Sequence, residues 1–377
     1  MRFLAAAVAV AAVQAIAGPR APFEADVFNC VVPADAAESA VFSPLSFEID
    51  CAVFGRCSEP LARAKFADAM GVLNGFEGLF GSMLEQYAAG LVTNHFSFLS
   101  ARAFCLHDLS SAKPDARQVL QNVYGAETCA AFPKAGPESW FRARLDGEME
   151  DFELPAETIS GNVYGYLDLV SARWSWDEPF PSSDSRGMAF AALDGSRKSV
   201  RAICDIRRAD VMAGRGFSAL RLRMAGDSWF YALLPAEGVP LAELRREFSA
   251  ARIVDGLLRA MESIVDPAVS HEPVAVAIPA MDISSSFDLD RAFSRLKLPM
   301  KGLDALGSNL SCRYMRQRMR FRLDECGLAE RVAEKPAATK IKATDGTRTF
   351  ALNRPFLFFI YHAPTDTIPV AGQFTGN

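Results

Sequence analysis

Arg354-Pro355-Phe356-Leu357-Phe358-Phe359-Ile360-Tyr361-His362 runs into Ala363-Pro364-Thr365-Asp366-Thr367 and then Ile368-Pro369-Val370-Ala371-Gly372-Gln373-Phe374. From Phe356 to Tyr361 all six residues are apolar or aromatic, the pattern of a strand buried on both faces. The Pro/Thr/Asp cluster reads as a turn and the residues after it as a second short strand, so the pair forms a hairpin. A segment this hydrophobic is expected to lock into a core.

Around it stands a chain of 377 residues, 50% hydrophobic, with a formal net charge of −5. That length supports a large core in one big domain or two ordinary ones. Mild acidity gives no reason to expect nucleic acid or an anionic membrane as partner. At the N-terminus, Met1-Arg2 precedes an apolar run from Phe3 to Val13 and a small-x-small site at Ala15-Ile16-Ala17. This predicts a secretory signal peptide over residues 1–17 and a location in the periplasm or extracellular space. The run falls short of the roughly 20 residues a membrane span needs. Eight cysteines follow it: Cys30, Cys51, Cys57, Cys105, Cys129, Cys204, Cys312 and Cys326. An exported context permits disulfides, but no pair has the Cys-x-x-Cys spacing of a zinc or redox site. Cys51 and Cys57, on one helix, would point about 240° apart and could not bridge.

Helical spacing is expected over Glu24–Val32, Pro44–Met70, Pro114–Tyr124, Leu241–Phe248, Ile253–Met261 and Asp288–Leu296. Strands are expected over Phe96–Cys105, Tyr164–Val170 and Trp229–Leu234. The cleanest is Met315–Leu323, where Arg316, Arg318, Arg320 and Arg322 alternate with Met315, Gln317, Met319, Phe321 and Leu323. Period two puts the four arginines on one face, read here as the wet side of a long strand. No repeat or linker interrupts the chain, so one α+β domain over residues 18–377 is predicted.

Several short motifs share an order. Val41-Phe42-Ser43-Pro44-Leu45-Ser46 comes first, followed by Ala62-Arg63-Ala64-Lys65 and Met70-Gly71. Then come Tyr124-Gly125-Ala126, Trp176-Asp177-Glu178-Pro179-Phe180, Leu233-Leu234-Pro235 and Phe287-Asp288-Leu289. Asp324-Glu325-Cys326-Gly327 and the C-terminal hairpin close the series. Together they resemble the serpins, the serine protease inhibitor superfamily, and the chain is similar to a divergent secreted member.

The resemblance implies three β-sheets, eight or nine helices and an exposed reactive loop, here about 327–352. In the family a protease cleaves that loop, whose N-terminal half then inserts into the main sheet and traps the acylated protease. It implies no enzymatic activity, cofactor or metal, a monomer, and a target protease as partner. The hinge would comprise Glu325, Gly327, Leu328, Glu330, Val332 and Glu334. The reactive bond would be Lys342–Ala343, with Lys340–Ile341 as alternative, either one suited to a trypsin-like enzyme. Ser43, Ser46, Ser171 and Gln317 would form a polar cluster controlling sheet opening, and Trp176 would be the buried aromatic of a turn that looks shortened after Ala172. The likeness also puts Cys105 and Cys129 on neighbouring strands of the main sheet, the favoured disulfide. Gly71–Ala101 carries no Lys or Arg, so no heparin surface is expected there.

The chain departs from the family where the hinge should be small. Glu330 and Glu334 would share the inward face of an inserted strand with Leu328 and Val332, and Pro336 removes a ladder donor. A hydrolase finds little support: His95, His107, His271 and His362 are scattered, and there is no Gly-x-Ser-x-Gly elbow or His-Glu-x-x-His pair. Asn309-Leu310-Ser311 is a glycosylation sequon.

Overall fold

The computed structural model describes residues 20–33, 35–70, 91–93, 96–130, 136–149, 159–249, 252–262, 269–327 and 346–376. Within them lie eight α-helices: α1 Arg20–Val31, α2 Pro44–Cys57, α3 Pro60–Ala69, α4 Pro114–Tyr124, α5 Gly136–Arg144, α6 Leu241–Ser249, α7 Arg252–Glu262 and α8 Asp290–Arg295. The strands begin with β1 Ala40–Phe42, β2 Leu91–Val92, β3 Phe96–Leu106, β4 Ala126–Ala130, β5 Val163–Trp174 and β6 Arg186–Ala191. Next are β7 Arg197–Arg208, β8 Asp210–Gly214, β9 Phe217–Met224, β10 Ser228–Pro235, β11 Val269–Ser270 and β12 Pro273–Pro279. Last are β13 Met281–Asp288, β14 Ser311–Leu323, β15 Arg348–Ala351, β16 Phe356–His362 and β17 Thr367–Phe374.

They form three sheets, as expected. The main sheet runs β13-β14-β5-β3-β2, with β4 beside β3; a second runs β15-β12-β7-β6; the third runs β1-β17-β16-β10-β9-β8-β11. The C-terminal hairpin is the middle of the third sheet: β16 pairs with β10 on one side and β17 on the other. Every residue of β16 is buried, which is why its sequence shows no alternation. Phe359 stacks on Tyr231 at 4.7 Å and Phe358 on Phe321 of β14 at 5.6 Å, so the hairpin also supports the back of the main sheet. Arg354 ties its entrance down by donating to the Pro235 carbonyl from Nε and Nη2, at 3.1 and 2.7 Å.

Local signals set several boundaries. Ser43 caps α2, its Oγ accepting from Ser46 N at 3.1 Å, and Pro44 takes the first helical position, where no amide hydrogen is needed. The helix expected over Pro44–Met70 is two helices, because the chain turns extended at Ser58 and restarts at Pro60. The expected helix from Asp288 is shorter, since Met281–Asp288 is a strand paired with β14. The reactive loop expected to reach Leu352 ends sooner: Arg348–Ala351 is an edge strand held parallel to β12.

In the main sheet β14 and β5 are hydrogen-bonded neighbours running parallel, while their outer partners β13 and β3 run antiparallel to them. Opposed pairs along this seam include Gln317 with Asp168, Arg320 with Ser171 and Arg322 with Arg173. Residues 1–17 and the loop positions Leu328, Glu330, Val332, Glu334, Lys340, Ile341, Lys342 and Ala343 lie outside the described residues.

Candidate functional site

Two constellations sit on the β5–β14 seam, one at its upper end and one beneath its middle. At the upper end β14 stops at Leu323 and the chain turns through Asp324-Glu325-Cys326-Gly327. The Asp324 carboxylate shapes this turn, its Oδ1 accepting from Cys326 N at 2.9 Å and Gly327 N at 2.7 Å. Gly327 has φ +73°, and a Cβ there would meet Ser175 Cα at 2.4 Å and the Trp174 carbonyl at 2.5 Å. Both the conformation and the space demand glycine. The Gly327 carbonyl accepts from Arg173 Nη2 at 2.9 Å.

Trp176, 2% exposed, packs edge-on to Phe180 and Phe230, at 5.0 and 5.6 Å between centroids. Its Nε1 donates to the Asp324 carbonyl at 2.8 Å. Glu325, 4% exposed, accepts from Arg201 Nη2 of β7 at 2.5 Å and from the Ser185 hydroxyl. Its own carbonyl accepts from Phe180 N at 3.0 Å. The turn is thereby fastened to β5 and to the second sheet by charge-assisted bonds, and to the Trp176 turn by an indole and a backbone donor.

Beneath the middle of the seam, Gln317 of β14 reaches across to β5 and down to α2. Its Nε2 donates to Asp168 Oδ2 at 2.8 Å and to the Ser43 carbonyl at 3.2 Å, and its Oε1 accepts from Ser43 N at 2.8 Å. Arg102 of β3, with no exposed surface, donates to Ser46 Oγ at 2.8 Å and to the Tyr124 carbonyl at 3.1 Å. It lies 3.4 Å from Asp50 and 3.7 Å from Asp168, both wholly buried. The Tyr166 hydroxyl donates to Asp50 Oδ1 at 2.7 Å.

Burial pushes Asp50 well above the ordinary carboxylate range, and the neighbouring Asp168 adds to the rise. Burial raises Asp168 as well, against the pull of Arg102. For Arg102 burial works against the charge, but Asp168 and Asp50 outweigh it and the net shift is upward. Both carboxyls are thus held above the ordinary range while Arg102 holds its proton more firmly, each change lessening the uncompensated charge in a dry interior.

This geometry corrects one expected member. Ser171 is buried, but it lies three residues beyond Asp168 on β5 and so points to the opposite face of the sheet. Asp168 is the residue that meets Gln317. The displacement follows from reading the turn before Trp176 as shortened, whereas β5 continues without interruption to Trp174.

A family profile described as "Serpin (serine protease inhibitor)" matches residues 20–376. The chain belongs to the serpin family. Among curated serpins, Serpin I2 of Homo sapiens is 23% identical over 252 residues, covering 63% of this chain and 59% of that protein. Plasminogen activator inhibitor 1 of Neovison vison is 26% identical, covering 55% of this chain and 53% of its own length. The matched regions thus span less than two thirds of these relatives. Among solved structures, the thermophilic serpin tengpin in its native state superposes with a TM-score of 0.78 at 16% identity, covering 95% of this chain and 93% of that one. Uncleaved ovalbumin superposes at 0.77 and 16% identity, covering 96% of this chain and all of that one, 100%. These similarities are of fold.

Within this serpin, sequence reasoning missed Asp50, Arg102 and Asp168. A signal was present in each case. Each is an ionisable residue in an otherwise apolar run: Ile49-Asp50-Cys51-Ala52, Ala101-Arg102-Ala103-Phe104 and Tyr166-Leu167-Asp168-Leu169. A charge at a core-facing position requires a buried partner, and the three are partners for one another.

Proposed function

We propose that this serpin is a secreted, monomeric inhibitor of serine endopeptidases, with cysteine endopeptidases as the second target class. It acts by loop cleavage, strand insertion and covalent trapping. The observation that carries the reading is the parallel β5–β14 seam ending in the Gly327 turn. A chain folding back from that turn along β14 runs antiparallel to β14. Because β5 is parallel to β14, it runs antiparallel to β5 too, and both sides of the seam can accept it without reversal.

In the proposed sequence the protease serine attacks the Lys342 carbonyl. An ester forms, the Ala343 amine leaves, and insertion carries the acyl-enzyme off before water attacks. Cleavage at Lys340–Ile341 is the alternative, and either lysine suits a trypsin-like enzyme. Residues 1–17 serve export, and Gly71–Ala101, devoid of Lys and Arg, offers heparin no cationic surface.

A second reading, a serpin-fold substrate, carrier or binding protein without trapping, is favoured by Glu330, Glu334 and Pro336. Two carboxylates on the inward face and a missing ladder donor all slow insertion. A panel of serine and cysteine proteases separates the two. Trapping gives an SDS-resistant band at the summed mass of serpin and protease, strongest with a trypsin-like member. Cleaved serpin alone, with every protease, establishes the second reading.

A further inference from the structure

Helix α5 lies on the outer face of the main sheet, where its Phe141, with Leu145 and Met149 from the segment just after it, packs against Ala101, Ala103, Leu167 and Leu169. Between the two anchors Leu145 and Met149 the chain makes a tight reversal, with Asp146 and Gly147 both left-handed at φ 50° and 72°. This places Glu148 over the β5–β14 seam. Its carboxylate is 3.7 Å from Arg173 Nη1 on β5 and is also paired with Arg322 on β14. Its carbonyl accepts from Arg320 Nη1 at 3.2 Å. Arg173 and Arg322 are directly opposite each other in the register of the two strands.

We propose that Glu148 is a positioning residue for strand insertion: it clasps the seam shut, and its release sets how readily the sheet accepts a new strand. This rests on the strand-insertion reading and adds a residue to it. Two guanidinium groups opposite each other on adjacent strands repel. Asp324 of the hinge turn offsets part of the charge on Arg322, but without a carboxylate shared by both strands the closed seam is strained where the hinge turn begins. Glu148 supplies that anion to both strands at once. Side-chain exposures of 17% for Arg173, 27% for Arg322 and 24% for Glu148 leave the interaction only partly screened. An added strand moves β5 and β14 apart by about 4.8 Å, and one carboxylate then loses its hold on one of the two. Arg173 also donates to the Gly327 carbonyl, so the clasp and the hinge turn share a side chain.

The test uses the intact protein and a synthetic peptide carrying residues 328–341 with alanine in place of Glu330 and Glu334. Uptake is followed by native gel mobility and by the rise in thermal midpoint. Glu148→Gln should take up the peptide about tenfold faster than wild type, the equivalent of about 1.4 kcal/mol off the barrier. Adding Arg322→Gln should return uptake toward the wild-type rate, because it removes the repulsion that Glu148→Gln exposes. Uptake by Glu148→Gln at the wild-type rate, or fast uptake that Arg322→Gln does not slow, overturns the clasp and leaves strand insertion standing. Refusal of the peptide by wild type and variant alike overturns strand insertion, and the clasp falls with it. If Glu148→Gln does not fold, Glu148→Asp, one methylene too short to span both arginines, carries the same expectation.

Discussion

His362 ends β16 in the core, 7% exposed, with Nδ1 2.7 Å from the Thr365 hydroxyl and its ring edge-on to Phe96 at 5.5 Å. Burial pulls its pKa down from 6.5 to about 4, with Asp227 pulling the other way. The unfolded chain therefore binds a proton that the folded protein refuses. Stability contributed by this site is complete above pH 6.5 and is lost as pH falls toward 4. The full loss is about 3 kcal/mol at this single site. Urea midpoints of wild type and His362→Gln, compared from pH 7.5 to 4, should converge as the pH drops. A constant gap across that range would show that the imidazole does not titrate in this way.

The pairing of β3 with β4 brings Cys105 opposite Cys129 in parallel register, with the two sulfurs 3.4 Å apart. That is the neighbour relationship expected from the family resemblance, with both thiols free here. The hydrogen bond between the two sulfurs draws the Cys105 thiol below its ordinary pKa and pushes Cys129 up. Cys129 is the better exposed of the two and so the one that an external disulfide reaches first. Oxidised glutathione should convert them to a disulfide, releasing two reduced glutathiones per bond formed, by exchange through a mixed disulfide. Peptide mapping without reduction should then recover the two strands cross-linked. Recovery of both cysteines as free thiols after prolonged oxidation would remove the claim.

At the scale of the whole molecule, the question is whether the sheet can gain a strand. In a strand folding back from the turn at 324–327, Leu328 comes level with Leu323, Glu330 with Phe321 and Ala172, and Glu334 with Gln317 and Asp168. The two carboxylates then meet different surroundings. Glu330 enters an apolar site, since Phe321 and Ala172 are 0% and 1% exposed. Glu334 enters the polar cluster that contains Arg102. An uncompensated carboxylate costs several kcal/mol, comparable with a domain's net stability of roughly 5–15 kcal/mol. Glu330→Ala should therefore raise the thermal midpoint of the loop-cleaved form by several degrees, and Glu334→Ala by less. The double variant should trap a larger fraction of protease per loop cleaved. If the double variant is cleaved, traps nothing and melts no higher than intact protein, the serpin fold serves here as a static scaffold.

Elements came through in the sequence wherever a local pattern was enough: the apolar run of β16, the alternation of β14, the Ser43-Pro44 start of α2, the proline and glycine bounding α4. Periodicity and capping act within a few residues of chain and need no partner. The turn at Asp324–Gly327 was legible only through the family resemblance, and the structure supplied the reason for its glycine, which backbone conformation requires. The polar cluster was only half legible. Ser43, Ser46 and Gln317 stand where motif order put them, but the choice between Ser171 and Asp168 depended on where β5 ends, and three residues along a strand reverse the face. Arg102 with Asp50 and Asp168, and Glu148 with Arg173 and Arg322, could be assembled only by the tertiary structure. Charges on different elements become partners through sheet register and helix packing, and no spacing along the chain encodes that distance.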